Sequence, residues 1–394
     1  MGKSVALLSG KGGSGKTTLS LTIAYMFASY ELKVLLVDCD LLTNGATYFF
    51  EDHLSGNKSI ITFADMLYGS DSPQTLSPIE INPYLDFIPS ICRLNDEQFF
   101  SYYENEPKER FSRHYHELSE LYDVLLFDCP AGFSDTVQYV TSHMDNNLVV
   151  LEADTISMAA MRSLYIKLAT VVPDVKFYQI FNKIRKEEAD KYANREGSFF
   201  KNIGAITFDW AIPNSFALAQ APTFDRAGMD FGMQLYSICS ELFRGERYQN
   251  KLQQFRRGLL LSSVKVERTK VEDDILKYKP ERKSIKSIFE RMDGIFPLAA
   301  ALLGFTVMTT ATDILSSRNS TSIIVVFTLL LVSAVLNIFL SVVSANRDDK
   351  ERRMKLRVYS DRLREIDNTI EMLNTEIEAE SSKPVPEESA IISS

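Results

Sequence analysis

A glycine-rich octapeptide near the amino terminus has the residue types and spacing needed to bind a phosphate chain. The sequence Gly10–Thr17, GKGGSGKT, satisfies the pattern GxxxxGK[ST]. In such a phosphate loop the backbone N–H groups and the dipole of the following helix stabilise bound phosphates. The Lys16 ammonium would neutralise the β- and γ-phosphate oxygens, and the Thr17 hydroxyl would bind Mg²⁺. The expected phosphate contacts are Gly12, Gly13, Ser14, Gly15, Lys16, Thr17 and Thr18.

Acidic residues follow two apolar runs. KVLLVDCD contains Asp38 and Asp40, and YDVLLFDCPAG contains Asp128. Ligands gather at the carboxyl ends of strands in open α/β sheets, so we expect these carboxylates beside the phosphate loop. Asp128 would hold Mg²⁺ through water. For Asp38 and Asp40, a cap at the end of the strand is the alternative.

The elements that would position these residues follow an alternating pattern. Short apolar runs such as SVALLS, KVLLVD, DVLLFD, NLVVLEA and KFYQIFN alternate with longer helical patterns through about residue 245. This is typical of βαβ units and a parallel sheet. The sequence therefore predicts a mostly parallel α/β domain over residues 1–245, with the phosphate loop between its first strand and the helix TTLSLTIAYMFASY.

Several motifs in this region resemble one family. KGGSGKTT, with its additional Lys11, resembles the deviant Walker A motif of the ParA/MinD ATPases, and DCPAG resembles their switch II segment. Asn182-Lys183 and WAIP match the stretches that lie beside the adenine base in the family. The motifs occur in the expected order over the whole predicted domain.

The resemblance implies ATP and Mg²⁺ as cofactors and a dimer that closes around the nucleotide. It implies that Lys11 contacts the partner's phosphates, a supply of positive charge in trans. Local charge within the loop is the alternative role for Lys11. Leu41-Leu42 stand where the ParA branch has Pro-Gln, which leaves the turnover rate open. The implied site residues are Lys11, Lys16 and Asp40 for catalysis; Thr17, Asp38 and Asp128 for the metal; and Gly132, Asn182 and Pro213 for the nucleotide.

Composition excludes some classes of protein. A net charge of −9 argues against a globally basic nucleic-acid binder, so nucleic acid is an unlikely partner. The cysteines show no CxxC spacing, so neither a zinc site nor a disulfide framework is indicated. Cys129 is interpreted as a buried core residue rather than a redox centre. The four cysteines are Cys39, Cys92, Cys129 and Cys239.

The sequence after residue 245 changes character. Residues 246–293 are charged and are interpreted as a helical linker. Within 294–345, two apolar segments, 294–312 and 323–345, approach the length that crosses a bilayer. Basic residues flank both outer ends, which predicts a transmembrane hairpin in the bacterial inner membrane with both termini and the ATPase domain cytoplasmic. A buried hairpin in a soluble protein is the alternative.

Residues 346–380 carry an apolar seam with alternating steps of three and four residues, which predicts a coiled-coil helix. An amphipathic helix lying on the ATPase domain is the alternative. Residues 381–394 are predicted to be disordered. The seam comprises Leu356, Tyr359, Leu363, Ile366, Ile370, Leu373 and Ile377.

These observations favour a membrane-anchored ATPase switch. Slow, partner-stimulated hydrolysis of ATP to ADP and phosphate would control a homodimer or higher oligomer that recruits, positions or assembles an unidentified protein at the bilayer. The alternative is a nucleotide-regulated effector of the bacterial conflict type, whose oligomerised hairpin perturbs the membrane.

Overall fold

A computed structural model describes most of the chain. The described residues are 1–54, 60–68, 77–91, 107–172, 175–196, 199–218, 220, 229–278, 304–305 and 320–381.

The described elements alternate as the sequence predicts. The strands are β1 (Lys3–Ser9), β2 (Val34–Asp38), β3 (Ile79–Asn82), β4 (Leu85–Ile88), β5 (Val124–Ala131), β6 (Asn146–Leu151), β7 (Phe177–Ile184) and β8 (Lys201–Thr207). The helices are α1 (Lys16–Ser29), α2 (Gly45–Phe49), α3 (Glu51–Leu54), α4 (Phe63–Tyr68), α5 (Pro107–Leu121), α6 (Asp135–Thr141), α7 (Thr155–Val171), α8 (Ala189–Ala193), α9 (Ala211–Ala217), α10 (Met229–Leu242), α11 (Glu246–Tyr278) and α12 (Ser320–Ser381).

The strands form one eight-stranded sheet in the order β3-β4-β2-β5-β1-β6-β7-β8. Every neighbouring pair is parallel except β3 and β4. The predicted mostly parallel α/β fold is therefore confirmed. The chain leaves β1 toward β2 on one side and reaches β6, β7 and β8 on the other, so the carboxyl end of β1 lies where ligands bind in such sheets.

Alternate residues of β1 enter two different cores. Val5 and Leu7 belong to a cluster on one face of the sheet, together with apolar residues of α1 and α10. Ala6 and Leu8 belong to the cluster on the opposite face, with residues of α5 and α7. Successive side chains of a strand point to opposite faces, so helices cover both sides of this wholly buried strand.

The compact unit that contains the sheet extends beyond the predicted boundary at residue 245. It comprises Met1–Ser263 together with the carboxy-terminal residues from Glu376. Leu252, Phe255 and Leu259 of α11 are buried in the same core cluster as Val5. The first half of α11 is therefore part of the unit that contains the sheet, because its apolar face completes that core.

The second unit, Val264–Thr375, contains the rest of α11 and most of α12. The Arg268 guanidinium donates to Asp367 over 2.7 Å, and the Tyr278 and Tyr359 rings stack with centroids 5.7 Å apart. Ile366 and Leu373 of the predicted seam are buried. The seam thus packs within the same chain, and the predicted coiled coil is not supported.

The predicted localisation in the bacterial inner membrane is wrong. Across the described residues, no helix combines the length and apolar character that crossing a membrane requires. Segment 323–345 lies inside α12, which continues into the charged sequence after it. Segment 294–312, apart from residues 304–305, lies outside the described residues, as does nearly all of the predicted disordered tail.

Candidate nucleotide-binding site

The phosphate loop lies between β1 and α1, as the motif requires. Gly13 and Gly15 adopt φ values of +78° and +93°, a region that favours glycine. The Ser14 hydroxyl is buried and has no hydrogen-bond partner in the described structure, and the Lys16 side chain is also buried. A phosphate group would accept hydrogen bonds from both side chains, so the loop fits the anion that its sequence predicts.

Two of the predicted metal ligands lie side by side. Asp38 ends β2 and is the register partner of Asp128 in β5, and both side chains are buried. The Asp38 carboxylate accepts hydrogen bonds from the backbone N–H and the hydroxyl of Thr47, each over 2.8 Å. The Asp128 carboxylate accepts one from the Ser20 hydroxyl over 3.1 Å. The Cys39 N–H donates to the Asp128 carbonyl over 2.9 Å, which joins the two strand ends.

Burial raises the pKa of both carboxyl groups. The pKa of Asp38 rises to about 7 because the group is desolvated and faces the negative charge of Asp128. Desolvation likewise raises the pKa of Asp128 to about 6, although hydrogen bonding to Thr17 and the charge of Lys16 oppose the rise. The pair therefore carries unfavourable negative charge that a cation would relieve.

The donor set fits magnesium. It consists of two carboxylates and the Thr17 hydroxyl, which are the hard oxygen ligands that Mg²⁺ prefers. The described residues include no group of three or more His, Cys, Asp and Glu side chains able to hold a metal. Binding of Mg²⁺ at Asp38 and Asp128 would therefore leave coordination positions for water and phosphate oxygens, as is usual for this ion.

Asp40 shapes the loop that follows β2. Its Oδ1 accepts hydrogen bonds from the N–H groups of Leu42 and Thr43 over 3.2 and 3.0 Å. This is the cap that the sequence left open as an alternative. The predicted catalytic role of Asp40 stays a prediction.

Lys11 lies on the opposite side of the phosphate loop, within a cluster of opposite charges. Its ammonium lies 2.9 Å from Glu152 and 3.1 Å from Asp154, which follow β6. Glu152 also receives the Lys183 ammonium over 2.8 Å, and Lys183 in turn donates to the Gly13 carbonyl. We call Lys11, Glu152, Asp154 and Lys183 the lysine cluster.

The pKa values follow this pairing. Hydrogen bonding to Glu152 and Asp154 raises the pKa of Lys11. Desolvation alone would raise the pKa of Glu152, but hydrogen bonds from Lys183 and Lys11 outweigh it and lower that pKa. The pKa of Asp154 lies far below its usual range because the Ser157 N–H and hydroxyl donate to it, with a further contribution from Lys11. Lys11, Glu152 and Asp154 are therefore charged near neutral pH.

Sequence analysis missed the acidic members of the lysine cluster. Glu152 and Asp154 follow the strand NLVVL directly. The rule that drew attention to Asp38, an acid at the carboxyl end of a parallel strand, applies equally to them.

A cavity of about 430 Å³ extends from the phosphate loop to the loop after β8. Asn182, predicted to contact adenine, lines it, and its amide donates to the Ser14 carbonyl over 2.8 Å. Pro213 lines the same cavity and is exposed. Both residues thus line the cavity beside the phosphate loop, and part of the Asn182 amide is engaged with that loop. Their contact with a base stays a prediction.

Comparisons with known proteins agree with this geometry. Residues 2–177 match the AAA_31 family, described as an AAA domain. The chromosome partitioning protein ParA of Myxococcus xanthus is 23% identical over 235 residues, covering 57% of this chain and 80% of that protein. The septum site-determining protein MinD of Bacillus subtilis is 26% identical over 167 residues, or 38% and 53% of the two chains.

A solved structure shares the fold. It is the putative plasmid partition protein of Borrelia burgdorferi bound to AMPPNP, with a TM-score of 0.50 and 17% identity over 61% of this chain and 98% of that one. The amino-terminal part of the chain is therefore similar to the AAA_31 family and to ParA and MinD proteins, and it shares the fold of the plasmid partition protein.

The unit that contains the sheet brings most of the predicted site residues together around one loop. The N–H of Gly132, a predicted nucleotide contact, donates to the Ser9 carbonyl over 2.8 Å. Contact with phosphate requires this segment to rearrange. Its φ of +82° is a conformation that glycine adopts without strain.

The described cysteines of the ATPase domain are core residues. Cys39, Cys129 and Cys239 are all free and buried, in agreement with the interpretation of Cys129. Burial raises the pKa of Cys39, and hydrogen bonding to the neighbouring Cys129 thiol raises it further. Cys39 therefore stays in the protonated, unreactive thiol form. Cys92 lies outside the described residues.

Proposed function

We propose that this chain is an ATP-hydrolysing switch, in which Mg²⁺ and ATP close a dimer and hydrolysis reopens it. The observation that carries the proposal is the buried pair Asp38 and Asp128, set next to the phosphate loop. Two carboxylates with raised pKa values beside Lys16 and a threonine hydroxyl form a site that needs both a cation and an anion.

In this proposal each residue around the phosphate loop has a separate role. Lys16 and the phosphate-loop N–H groups bind the β- and γ-phosphates, while Thr17, Asp38 and Asp128 hold Mg²⁺, which supplies charge neutralisation when bound. Asp40 orients the attacking water and accepts its proton. Its position on a capped loop beside Asp38 keeps the carboxylate near the reacting phosphate.

Lys11 makes the cycle depend on a second copy. In the described conformation its ammonium pairs with Glu152 and Asp154 of the same chain. The exposure of these pairs keeps them weak, so a partner's triphosphate can replace the acids as the counter-charge. Slow turnover, stimulated by a protein partner that the dimer recruits or positions, would follow from this requirement.

The test measures ATP turnover and oligomeric state of the full-length protein with ATP and Mg²⁺. We expect Lys16→Ala to lose nucleotide binding and lower turnover by more than about 100-fold. Asp40→Ala should bind ATP and accumulate as a dimer, because closure precedes hydrolysis. Lys11→Ala should bind ATP and stay monomeric.

The exposed Lys33, at the amino end of β2 and away from the phosphate loop, provides the matched control as Lys33→Ala. It should behave as wild type. Wild-type protein that binds no ATP, or an unchanged oligomeric state in every variant, would overturn the proposal.

A further inference from the structure

Asp38, one of the two proposed metal ligands, is held by hydrogen bonds from the loop and helix that follow it. Its Oδ2 accepts from the backbone N–H and the hydroxyl of Thr47, each over 2.8 Å, and its Oδ1 accepts from the Asp40 N–H over 3.0 Å. A carboxylate oxygen accepts about two hydrogen bonds. The bonds from Thr47 therefore occupy Oδ2, whereas among the described contacts Oδ1 keeps a lone pair for a further partner.

A buried serine fixes the direction of the Thr47 hydroxyl. The Ser90 N–H, just after β4, donates to the Thr47 Oγ1 over 2.9 Å, and the two hydroxyl oxygens lie 3.0 Å apart. The Ser90 hydroxyl has one proton, which it donates to the Asn44 Oδ1 over 2.6 Å. Thr47 therefore directs its own proton toward Asp38 and accepts the Ser90 N–H on a lone pair.

These bonds lie in the protein interior, where losing a hydrogen-bond partner is costly. Asp38, Thr47 and Ser90 are all buried. The Ser90 carbonyl also accepts the Ala64 N–H over 3.1 Å as α4 begins. A buried polar group without a partner carries the whole cost of its desolvation. The orientation of the Asp38 carboxylate thus depends on the end of β4 and on α4 as well as on its own strand.

We infer that Thr47 and Ser90 are positioning residues, which restrict Asp38 to contact with the metal through one oxygen and so make the site discriminate Mg²⁺ from Ca²⁺. The inference rests on the proposed function, since it concerns the same metal site. Mg²⁺ requires near-octahedral coordination, whereas Ca²⁺ accepts more oxygen ligands and readily takes both oxygens of one carboxylate. With its Oδ2 occupied, Asp38 suits Mg²⁺ better than Ca²⁺.

The experiment measures nucleotide binding with either metal. The full-length protein is titrated by calorimetry with AMPPNP in the presence of Mg²⁺, Ca²⁺ or EDTA. Thr47→Val keeps the backbone N–H and the shape of the side chain but removes the hydroxyl. We expect it to weaken binding with Mg²⁺ by about 10-fold, in the range found when a metal ligand loses its supporting bond, and to change binding with Ca²⁺ by less than about two-fold. The affinity in EDTA should not change.

Two further variants separate positioning from a general loss of structure. Thr47→Ser retains the hydroxyl and should recover most of the preference for Mg²⁺. Ser90→Ala keeps the N–H that Thr47 accepts but loses the bond to Asn44, so it should lower the preference by only about three-fold. If Thr47→Val does not fold, Ser90→Ala carries the same test.

Thr62 supplies a matched control. Its N–H and hydroxyl also donate to a single carboxylate oxygen, the Oδ2 of Asp65, and its hydroxyl also accepts a backbone N–H, that of Asp65. Asp65 belongs to α4 and is not one of the proposed metal ligands. Thr62→Val should lower the melting temperature as Thr47→Val does, and it should leave the ratio of the affinities with Mg²⁺ and Ca²⁺ as in wild type.

Three results would overturn the inference while leaving the proposed function intact. They are equal affinity of the wild-type protein with the two metals, an unchanged ratio in Thr47→Val, and an equal change of the ratio in Thr62→Val. If Mg²⁺ does not strengthen AMPPNP binding to the wild-type protein, the proposed function fails as well.

Discussion

The two sides of the phosphate loop hold charge in opposite ways. On the β2 and β5 side, Asp38 and Asp128 are buried, and desolvation raises both pKa values. On the β6 and β7 side, the lysine cluster is partly exposed; hydrogen bonds from its lysines lower the pKa of Glu152, and hydrogen bonds from Ser157, with a further contribution from Lys11, lower the pKa of Asp154. The buried pair costs stability until a cation arrives, whereas the lysine cluster is satisfied already.

This difference in burial and charge suits the two sides of the phosphate loop to different roles, metal binding on one side and switching on the other. Buried like charges bind a cation strongly because solvent screens them little. Exposed opposite charges exchange partners easily because water and salt compete for them. One side of the loop is therefore suited to holding Mg²⁺, and the other to releasing Lys11 when a second nucleotide approaches.

The largest expected effect comes from Asp128→Asn. Without Asp128 the metal site loses a carboxylate, so ATP turnover should fall by more than about 100-fold. Without Mg²⁺, the free energy of unfolding at pH 8 should nevertheless be higher for Asp128→Asn than for wild type, on the order of 2 kcal/mol, because a repelling buried charge is gone. Urea unfolding without Mg²⁺ measures this difference.

The pH dependence fixes the sign of that prediction. The folded-state pKa of Asp128, about 6, lies above its ordinary value of 3.8. Its contribution to wild-type stability is therefore fully present below about pH 4 and is lost as pH rises through 6. The advantage of Asp128→Asn should thus shrink toward zero at pH 4. An equal advantage at both pH values would show that the charge is not its cause.

An intermediate effect is expected at the loop itself. In Gly15→Ala the new Cβ would overlap the Asn182 amide, which would lose its bond to Ser14, and the φ of +93° would be strained. We expect a loss of roughly 3 kcal/mol in unfolding free energy. Gly13→Ala, with a similar φ and nothing near its Cβ, should cost about 1 kcal/mol. Equal losses would mean that the contact with Asn182 is unimportant.

The smallest effect on stability is expected for Glu152→Gln. Its ion pairs are partly exposed, so the melting temperature should change by less than about 2 °C. Because Lys11 loses one of its two acidic partners and keeps only Asp154, the ATP-dependent dimer should form at concentrations lower by about two- to five-fold, as measured by analytical ultracentrifugation.

Glu241 provides the matched comparison for that variant. It also pairs with two cations, Lys201 and Arg244, but lies on α10 away from the phosphate loop. Glu241→Gln should leave dimerisation unchanged. If both variants shift the dimer equally, the lysine cluster does not hold Lys11 back.

The two sides also differ in how far sequence could predict them. The buried pair was predictable, because apolar runs ending in acids identify parallel strands whose carboxyl ends meet. The phosphate loop was predictable because its residues are contiguous. Glu152 and Asp154 satisfy the same rule for acids that follow parallel strands, but their pairing with Lys11 was not predictable, since Asp154 lies 143 positions further along the chain. Nothing in the local spacing connects them before the order of β1, β6 and β7 is known.

The structure differs from the sequence predictions where the composition or hydropathy of part of the chain was used to assign the role of a whole segment. The composition change at residue 246 indicated a linker, yet Leu252 and Phe255 of α11 complete the core, because three apolar residues on one helix face outweigh many charged ones on the other. The inner-membrane prediction rested on the length and apolar character of two segments, whereas no helix of the described residues is long and apolar enough to cross a membrane.

The hydrogen bond that joins the ends of β2 and β5 contains a backbone amide proton whose exchange can report on the opening of the site. The Cys39 N–H donates to the carbonyl of Asp128, at the point where the chain leaves both strands. This amide is buried, so its hydrogen exchange requires the two strand ends to separate. Its exchange rate, measured with and without nucleotide, would therefore show whether the loops after Asp38 and Asp128 open as one cooperative unit.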